Sequence, residues 1–342
     1  MRLSRAWIRS RAHRPSARRF RLTAAALSLL GVTGLLAGCG GIAAGAAGLP
    51  VVKVGVVPGV DNATLFLAKK LGYFNRAGID VKIRDFKSVD TELTALRAGQ
   101  VNVAAADYGD LFARQSALQK NAFKILADGY DAAPGVAEIM TMPNSPVQSP
   151  GDLQNRPIGA PNTDMVSAPK GAPNSLLVAS ATSVLTGDGV NSSLITWSNM
   201  PQKQEVSELV SGQLKAILVT EPYVYLAQQA GAVELLDACS GATAGIPLSG
   251  YFTSASWAAS NGTAARAFRT GLEKANAAAS MPGPVQSILP TYARYTKQEA
   301  ALITTGVYPV STITASIQQT ANTMWYVGMI PAEINVSKMI VK

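Results

Sequence analysis

The chain has 342 residues, a formal net charge of +9 and one histidine, His13. Eight of the positive charges are arginines within Met1–Arg21, a stretch with no acidic residue, so the rest of the chain carries only +1 and offers no electrostatic footprint for nucleic acid. Beyond His13 there is no imidazole for general-base catalysis or metal ligation, and no metal or cofactor is expected.

The arginine-rich start leads into an apolar run from Leu22 to Ala37, shorter than the ~20 residues a membrane-spanning helix needs. A basic start, an apolar middle and small residues before a cut site predict a secretory signal over residues 1–38. The Arg18-Arg19 pair suggests twin-arginine export, whereas Arg21 stands where that signal prefers an apolar residue, so the export route stays open. The segment ends in Leu36-Ala37-Gly38-Cys39, which resembles the lipobox of bacterial lipoproteins; an ordinary signal peptide with a chance cysteine is the alternative. The resemblance implies lipidation of Cys39 and a secreted protein anchored to the outer face of the cytoplasmic membrane. Cys239 then has no partner, and no disulfide is expected. Residues 39–49, rich in Gly and Ala, suit a flexible tether.

Val51–Val57 is short and β-branched, as in a buried strand broken by Pro58-Gly59. A helix is predicted from Asn62 to Leu71, with Asp61 or Asn62 as its cap and Gly72 past its end. Alternating Ile79, Val81 and Ile83 predict a strand, Ser88–Arg97 a helix, Val101–Ala106 a strand, Tyr108–Leu118 a helix and Phe123–Ala127 a strand. After a further strand at Val136–Thr141, the stretch Pro143–Pro157 is dense in Pro, Asn, Ser and Gly and marks a lobe boundary. A second alternating set follows: strands at Ile158–Ala160, Leu194–Trp197, Ala216–Thr220 and Val233–Leu236, with helices at Ser175–Leu185, Gln202–Ser211 and Tyr223–Gln229. Leu248–Ser256 reads as a strand returning across the boundary. Farther on, Ala264, Ala267, Phe268, Gly271, Leu272 and Ala275 share one helical face. Thr296 and Glu299 fit a capping box, and Ile313, Ile317, Ala321 and Met324 form another apolar stripe.

Strands alternating with helices predict an α/β fold with parallel sheets. Three stretches carry a more specific likeness. The first is Leu67–Phe74 continuing through Ala77-Gly78-Ile79-Asp80-Val81. The second is Leu96-Arg97-Ala98-Gly99-Gln100-Val101-Asn102-Val103, and the third is Leu209–Ala216 running into Thr220-Glu221-Pro222-Tyr223 and Ala230-Gly231-Ala232. In this order they resemble the nitrate/sulfonate/taurine group of ABC-transporter periplasmic binding proteins, which also includes binders of thiamine pyrimidine precursors. Asn102 and Lys215 stand where that family usually has aspartate, and Pro161–Pro173 departs from it with extra residues rich in Pro, Asn and Ser. The resemblance implies a two-lobed, type II-like periplasmic-binding-protein fold with a ligand cleft between the lobes. Lobe one is expected over 50–141 and 247–342, and lobe two over 142–246. It implies an ABC permease as membrane partner, and the protein is expected to act as a monomer.

Open parallel sheets bind ligands beyond the carboxyl ends of their strands. On that basis the candidate ligand contacts are Asp61, Asn62, Asp107, Tyr108, Asp128 and Tyr130 in lobe one, and Thr163, Asp164, Trp197, Glu221 and Tyr223 in lobe two. Asp61, Asp110 and Asp164 read equally as helix caps, Trp197 equally as core, and Glu221-Pro222 as a simple strand-to-helix junction. The predicted loops are acidic and contain no arginine, which favours a solute carrying an amine, amidine or amino-heterocycle over a bare sulfonate or nitrate. An enzyme of the pyrimidine-synthase type is a rival reading, but those enzymes depend on histidine, and no G-x-S-x-G, Walker loop or C-x-x-C is present. An adhesive surface lipoprotein would not need two α/β lobes.

Overall fold

The computed structural model describes residues 48–118, 122–161 and 175–341. The signal segment, Cys39, nearly all of the tether, Thr163 and Asp164 lie outside the described residues.

Strand β1 (Val51–Val56) leads through the Pro58-Gly59 break into α1 (Ala63–Lys70) and the short α2 (Tyr73–Arg76). Then follow β2 (Asp80–Asp85), α3 (Val89–Arg97), β3 (Val103–Asp107), α4 (Tyr108–Leu118) and β4 (Phe123–Asp131). Helix α3 starts where the Ser88 hydroxyl accepts the Thr91 N–H at 3.3 Å, covering one of the backbone donors a helix leaves open.

The second set comprises β5 (Ala137–Thr141), β6 (Pro157–Pro161), α5 (Leu176–Gly187), β7 (Thr196–Met200), α6 (Gln202–Val210), β8 (Ala216–Thr220), α7 (Tyr223–Gln229) and β9 (Val233–Asp237). The chain then returns as β10 (Pro247–Ser254) and finishes in α8 (Ala255–Ser260), α9 (Gly262–Ala278), α10 (Pro282–Tyr292), α11 (Lys297–Leu302) and α12 (Thr314–Tyr326). Among the described residues no helix is long and apolar enough to cross a membrane.

Two five-stranded sheets result, ordered β2-β1-β3-β10-β4 and β7-β6-β8-β5-β9. In the first, β10 runs antiparallel between β3 and β4; in the second, β5 runs antiparallel between β8 and β9. The α/β reading is met, with two departures. The lobe boundary was expected after Thr141, yet β5 pairs with β8 and β9, so the chain crosses earlier, between Asp131 and Ala137. The Pro-rich stretch after β5 is a connection inside the second lobe. Strand β4 also outlasts its predicted end at Ala127, because Asp128, Tyr130 and Asp131 still pair with β10 around irregularities in register.

The second crossing joins β9 to β10. Ala132 N–H donates to Ile246 O at 2.8 Å, and Ala238 N–H donates to Ala137 O at 2.9 Å, so the two crossings are tied to each other. One hydrophobic core spans both lobes: Leu65, Phe252, Phe268 and Leu272 lie in the first, and Leu176, Val178, Ile158 and Leu218 in the second. A smaller cluster of Met140, Leu209, Ile217 and Val219 sits beneath α6 and α7. The Thr296–Glu299 capping box is formed: Thr296 N–H donates to the Glu299 carboxylate at 2.6 Å, and Glu299 N–H to the Thr296 hydroxyl at 3.1 Å. The expected α12 stripe is buried at Ile317, Ala321 and Met324, but Ile313 is 55% exposed because it precedes the first helical turn.

Candidate functional site

The carboxyl ends of β1, β3 and β8 point towards a cavity of about 380 Å³ between the two sheets. The first lobe supplies Pro58–Asp61 after β1, Asp107 and Asp110 around the β3–α4 junction, and Tyr130 from β4. Leu248 and Ser249 come from the start of β10, whose antiparallel direction brings its amino end to the same place. The second lobe supplies Ser175–Leu177 at the start of α5 and Thr220–Pro222 after β8. Val136 of the first crossing and Tyr295, between α10 and α11, complete the wall.

The Asp61 loop is held from three sides. Asn62 folds back, its amide donating to Val57 O at 2.8 Å and its oxygen accepting from Gly59 N–H at 3.2 Å. Tyr292 donates its phenol to Gly59 O at 2.8 Å, with its ring stacked on Phe66 at 3.7 Å. Tyr308 donates to Val60 O at 2.7 Å. Tyr130, tilted against Tyr308, accepts the Gly306 N–H at 2.6 Å. A Cβ at Gly306 would come within 2.3 Å of Asp131 O, so only glycine lets the chain pass there.

The electrostatics are one-sided. Burial against the cleft floor pushes the Asp61 carboxyl up to about 6; a hydrogen bond with Ser249 opposes the shift and repulsion from Asp107 adds to it. Burial also raises Asp107, opposed by bonds from Asp110 and Gly109 and by the charge of Arg114. Glu221 is raised by burial, opposed by the N–H groups of Thr304 and Tyr225. Beneath this floor Glu92 accepts the Ala105 N–H at 2.7 Å and is pushed well above the usual carboxylate range by burial. Among the described residues, no Lys or Arg lines the cavity, and no group of three His, Cys, Asp or Glu side chains is placed to hold a metal ion.

Of the candidates read from sequence, Asp61, Asp107, Tyr130 and Glu221 meet in the cavity wall. Asn62, Tyr108, Asp128, Trp197 and Tyr223 do not line it. Tyr108 is fully buried and donates to Asp128 at 3.1 Å, and Asp128 is itself buried with its N–H on the Thr312 hydroxyl at 3.0 Å. Trp197 packs against the main core and Tyr223 against the smaller cluster. Ser175, Ser249 and Tyr295 were not anticipated. The antiparallel return of β10 is the signal that would have found Ser249, whereas nothing local marks Tyr295.

A family model described as "NMT1/THI5 like" matches residues 60–283. The chain belongs to the NMT1/THI5-like family. No curated protein matches the chain. Among solved structures, the periplasmic aliphatic sulphonate binding protein SsuA from Escherichia coli superposes with a TM-score of 0.68 at 16% identity, covering 86% of this chain and 98% of that one. A zinc-bound ligand-binding component of an ABC-type import system from Staphylococcus aureus gives 0.63 at 17%, covering 81% and 91%. The desulfurization enzyme DSZB gives 0.64 at 12%, covering 85% and 96%. These likenesses establish the periplasmic-binding-protein fold for this member of the family.

Proposed function

We propose that the chain is the extracytoplasmic solute-binding component of an ABC-type importer, capturing a small polar organic molecule in the interlobe cleft and handing it to a membrane permease. The observation that carries this reading is a cavity of about 380 Å³ whose wall is shared by two α/β lobes joined by two crossings. That volume lies at the lower end of the ~300–1,000 Å³ range of small-molecule sites. Asp61, Asp107, Tyr130 and Glu221 are its proposed ligand contacts, joined by Ser249 and Tyr295. The sulphonate-binding and import-system neighbours support the role, and sulfonate or nitrate capture is the alternative ligand assignment. Cys39 is the proposed lipid attachment point and residues 39–49 the tether, with the folded body acting as a monomer.

Binding without turnover is favoured over the DSZB-like enzymatic reading. Cys239 is buried and does not line the cavity, and burial together with Asp237 pushes its thiol up to about 12, which leaves it a poor nucleophile. Native mass spectrometry of the purified protein tests the proposal, with a non-covalently held small molecule as the expected result. Chemical conversion of that molecule on incubation would instead assign an enzyme. Membrane fractionation of wild type and Cys39→Ser tests the anchor: the variant is expected in the soluble fraction.

A further inference from the structure

The cavity wall pairs its helix starts with the protein's own acceptors. A helix N-terminus is a ready seat for an anion, because its first N–H groups lack partners and the helix dipole favours negative charge. At α4 the Asp107 carboxylate accepts the Asp110 N–H at 2.8 Å. At α7 the Glu221 carboxylate accepts the Tyr225 N–H at 3.1 Å. At α5 the Ser175 hydroxyl accepts the Val178 N–H at 3.1 Å. Ser249, another hydroxyl of the wall, is engaged by Asp61. At each of these three helix starts one N–H group is thus taken inside the wall, at two of them by a carboxylate.

The charge left over has one sign. Asp61 and Asp107 stand together on the floor of the first lobe, and Glu221 stands on the second, with no Lys or Arg among the described wall residues. Arg114 is ion-paired with Asp90 and its charge also partly offsets the rise of the Asp107 carboxyl, whereas Asp61 and Glu221 have no such cation among the described wall residues. Buried carboxylates without a countercharge are costly, and a guest that brings one is favoured twice, by charge-assisted hydrogen bonds and by relief of the Asp61–Asp107 repulsion. Tyr130 and Tyr295 add aromatic faces that suit a cation or a flat ring.

We infer that the cleft selects organic cations, seating a protonated amine or amidine nitrogen between Asp61 and Asp107 of one lobe and Glu221 of the other, and rejects small anions. This rests on the solute-binding reading above and assigns its ligand class. A nitrogen bridging carboxylates on both lobes also links occupancy to closure, since neither lobe alone supplies the full set of acceptors.

The test is calorimetric titration of the purified chain at about pH 7.5 with one ring and four head groups: benzamidine, benzylamine, neutral benzamide and benzenesulfonate. The two cations are expected to bind and the other two to stay silent. Asp61→Asn is expected to weaken cation binding by about tenfold or more, the loss of one charge-assisted contact. Its thermal midpoint, unchanged or raised, would show that it folds, and Asp107→Asn provides a second reading. Benzenesulfonate binding in the cleft, or cation binding indifferent to both substitutions, would overturn the inference and leave the importer role standing. Silence from all four compounds also counts against it, because an amidinium on paired carboxylates binds detectably at millimolar concentration. The importer role itself then stands or falls on the mass-spectrometric search for a co-purified guest.

Discussion

The Glu221 carboxylate accepts the Thr304 backbone N–H at 2.8 Å, joining the end of β8 in the second lobe to the segment between α11 and α12. The same carboxylate accepts Tyr225 N–H, and Tyr295 donates to the Glu221 carbonyl at 3.4 Å. One residue therefore caps a helix, bridges the lobes and faces the cavity.

Glu221→Ala removes both N–H acceptors and is expected to lower stability by about 1–2 kcal/mol. Glu221→Gln keeps one acceptor oxygen but sets an NH2 group against the other N–H, so it is expected to lose at least about half as much while also losing the charge. Urea unfolding of the two variants measures these losses. Unchanged stability in both would remove the lobe-bridging bond from the account.

Tyr292→Phe keeps the ring stacked on Phe66 and deletes only the bond to Gly59 O. About 1 kcal/mol of stability should be lost. Ligand affinity should fall as well, because the loop that aims Asp61 loses one of its ties. Hydrogen exchange at Val60 and Asp61 should quicken in the variant, and unchanged exchange would show that Tyr308 and Asn62 hold the loop unaided.

Gly306→Ala drives a methyl group against Asp131 O and the Tyr130 ring. The backbone oxygen cannot step aside as a side chain could, so a loss of about 2 kcal/mol or more is expected. A lowered thermal midpoint with weaker ligand binding is the expected readout, since Tyr130 must shift to make room.

Glu205 on α6 is buried with neither carboxylate oxygen hydrogen-bonded, and burial pushes it up to about 9 from an ordinary 4.5. The folded protein therefore holds this proton more tightly than the unfolded chain does. Stability from this group is fully present below 4.5 and drains away as pH rises towards 9, amounting to about 3 kcal/mol between about pH 5 and about pH 7.5. Glu205→Gln should flatten that slope and stabilise the protein at the upper pH. Parallel pH dependence in variant and wild type, by urea unfolding, would refute this.

Asp61 gives the opposite sign for ligand binding. Its carboxyl, raised to about 6, loses its charge as pH falls through that value, so benzamidine affinity should drop below it. The groups facing Asp61 are Asp107 and Glu92, which titrate in the same direction, and phenols, which stay neutral across that range. Calorimetry across this window checks the direction, and rising affinity in acid would contradict the cation assignment.

Element types were readable where a strand is short and apolar, as at Val51–Val56, and where a helix carries a stop or a cap, as at Ser88 and Thr296. The side of the molecule on which β5 falls was not readable. Its sequence resembles that of the preceding strands, and only its partners β8 and β9, far along the chain, decide its sheet. The acids ending β1, β3 and β8 were found because parallel strands expose their carboxyl ends at the site. Tyr108 and Asp128 were drawn in by the same rule but satisfy each other inside the core. Tyr295 arrives from a helical region whose sequence spacing reports only its own packing.

The paired backbone bonds at Ala132–Ile246 and Ala238–Ala137 fasten the two connecting threads side by side. Threads fastened in this way resist one sheet shearing past the other and leave torsion about their common line as the softer motion. Any opening of the cleft should therefore follow a single swing, like a book on its spine, with every strand keeping its register at both ends of the stroke.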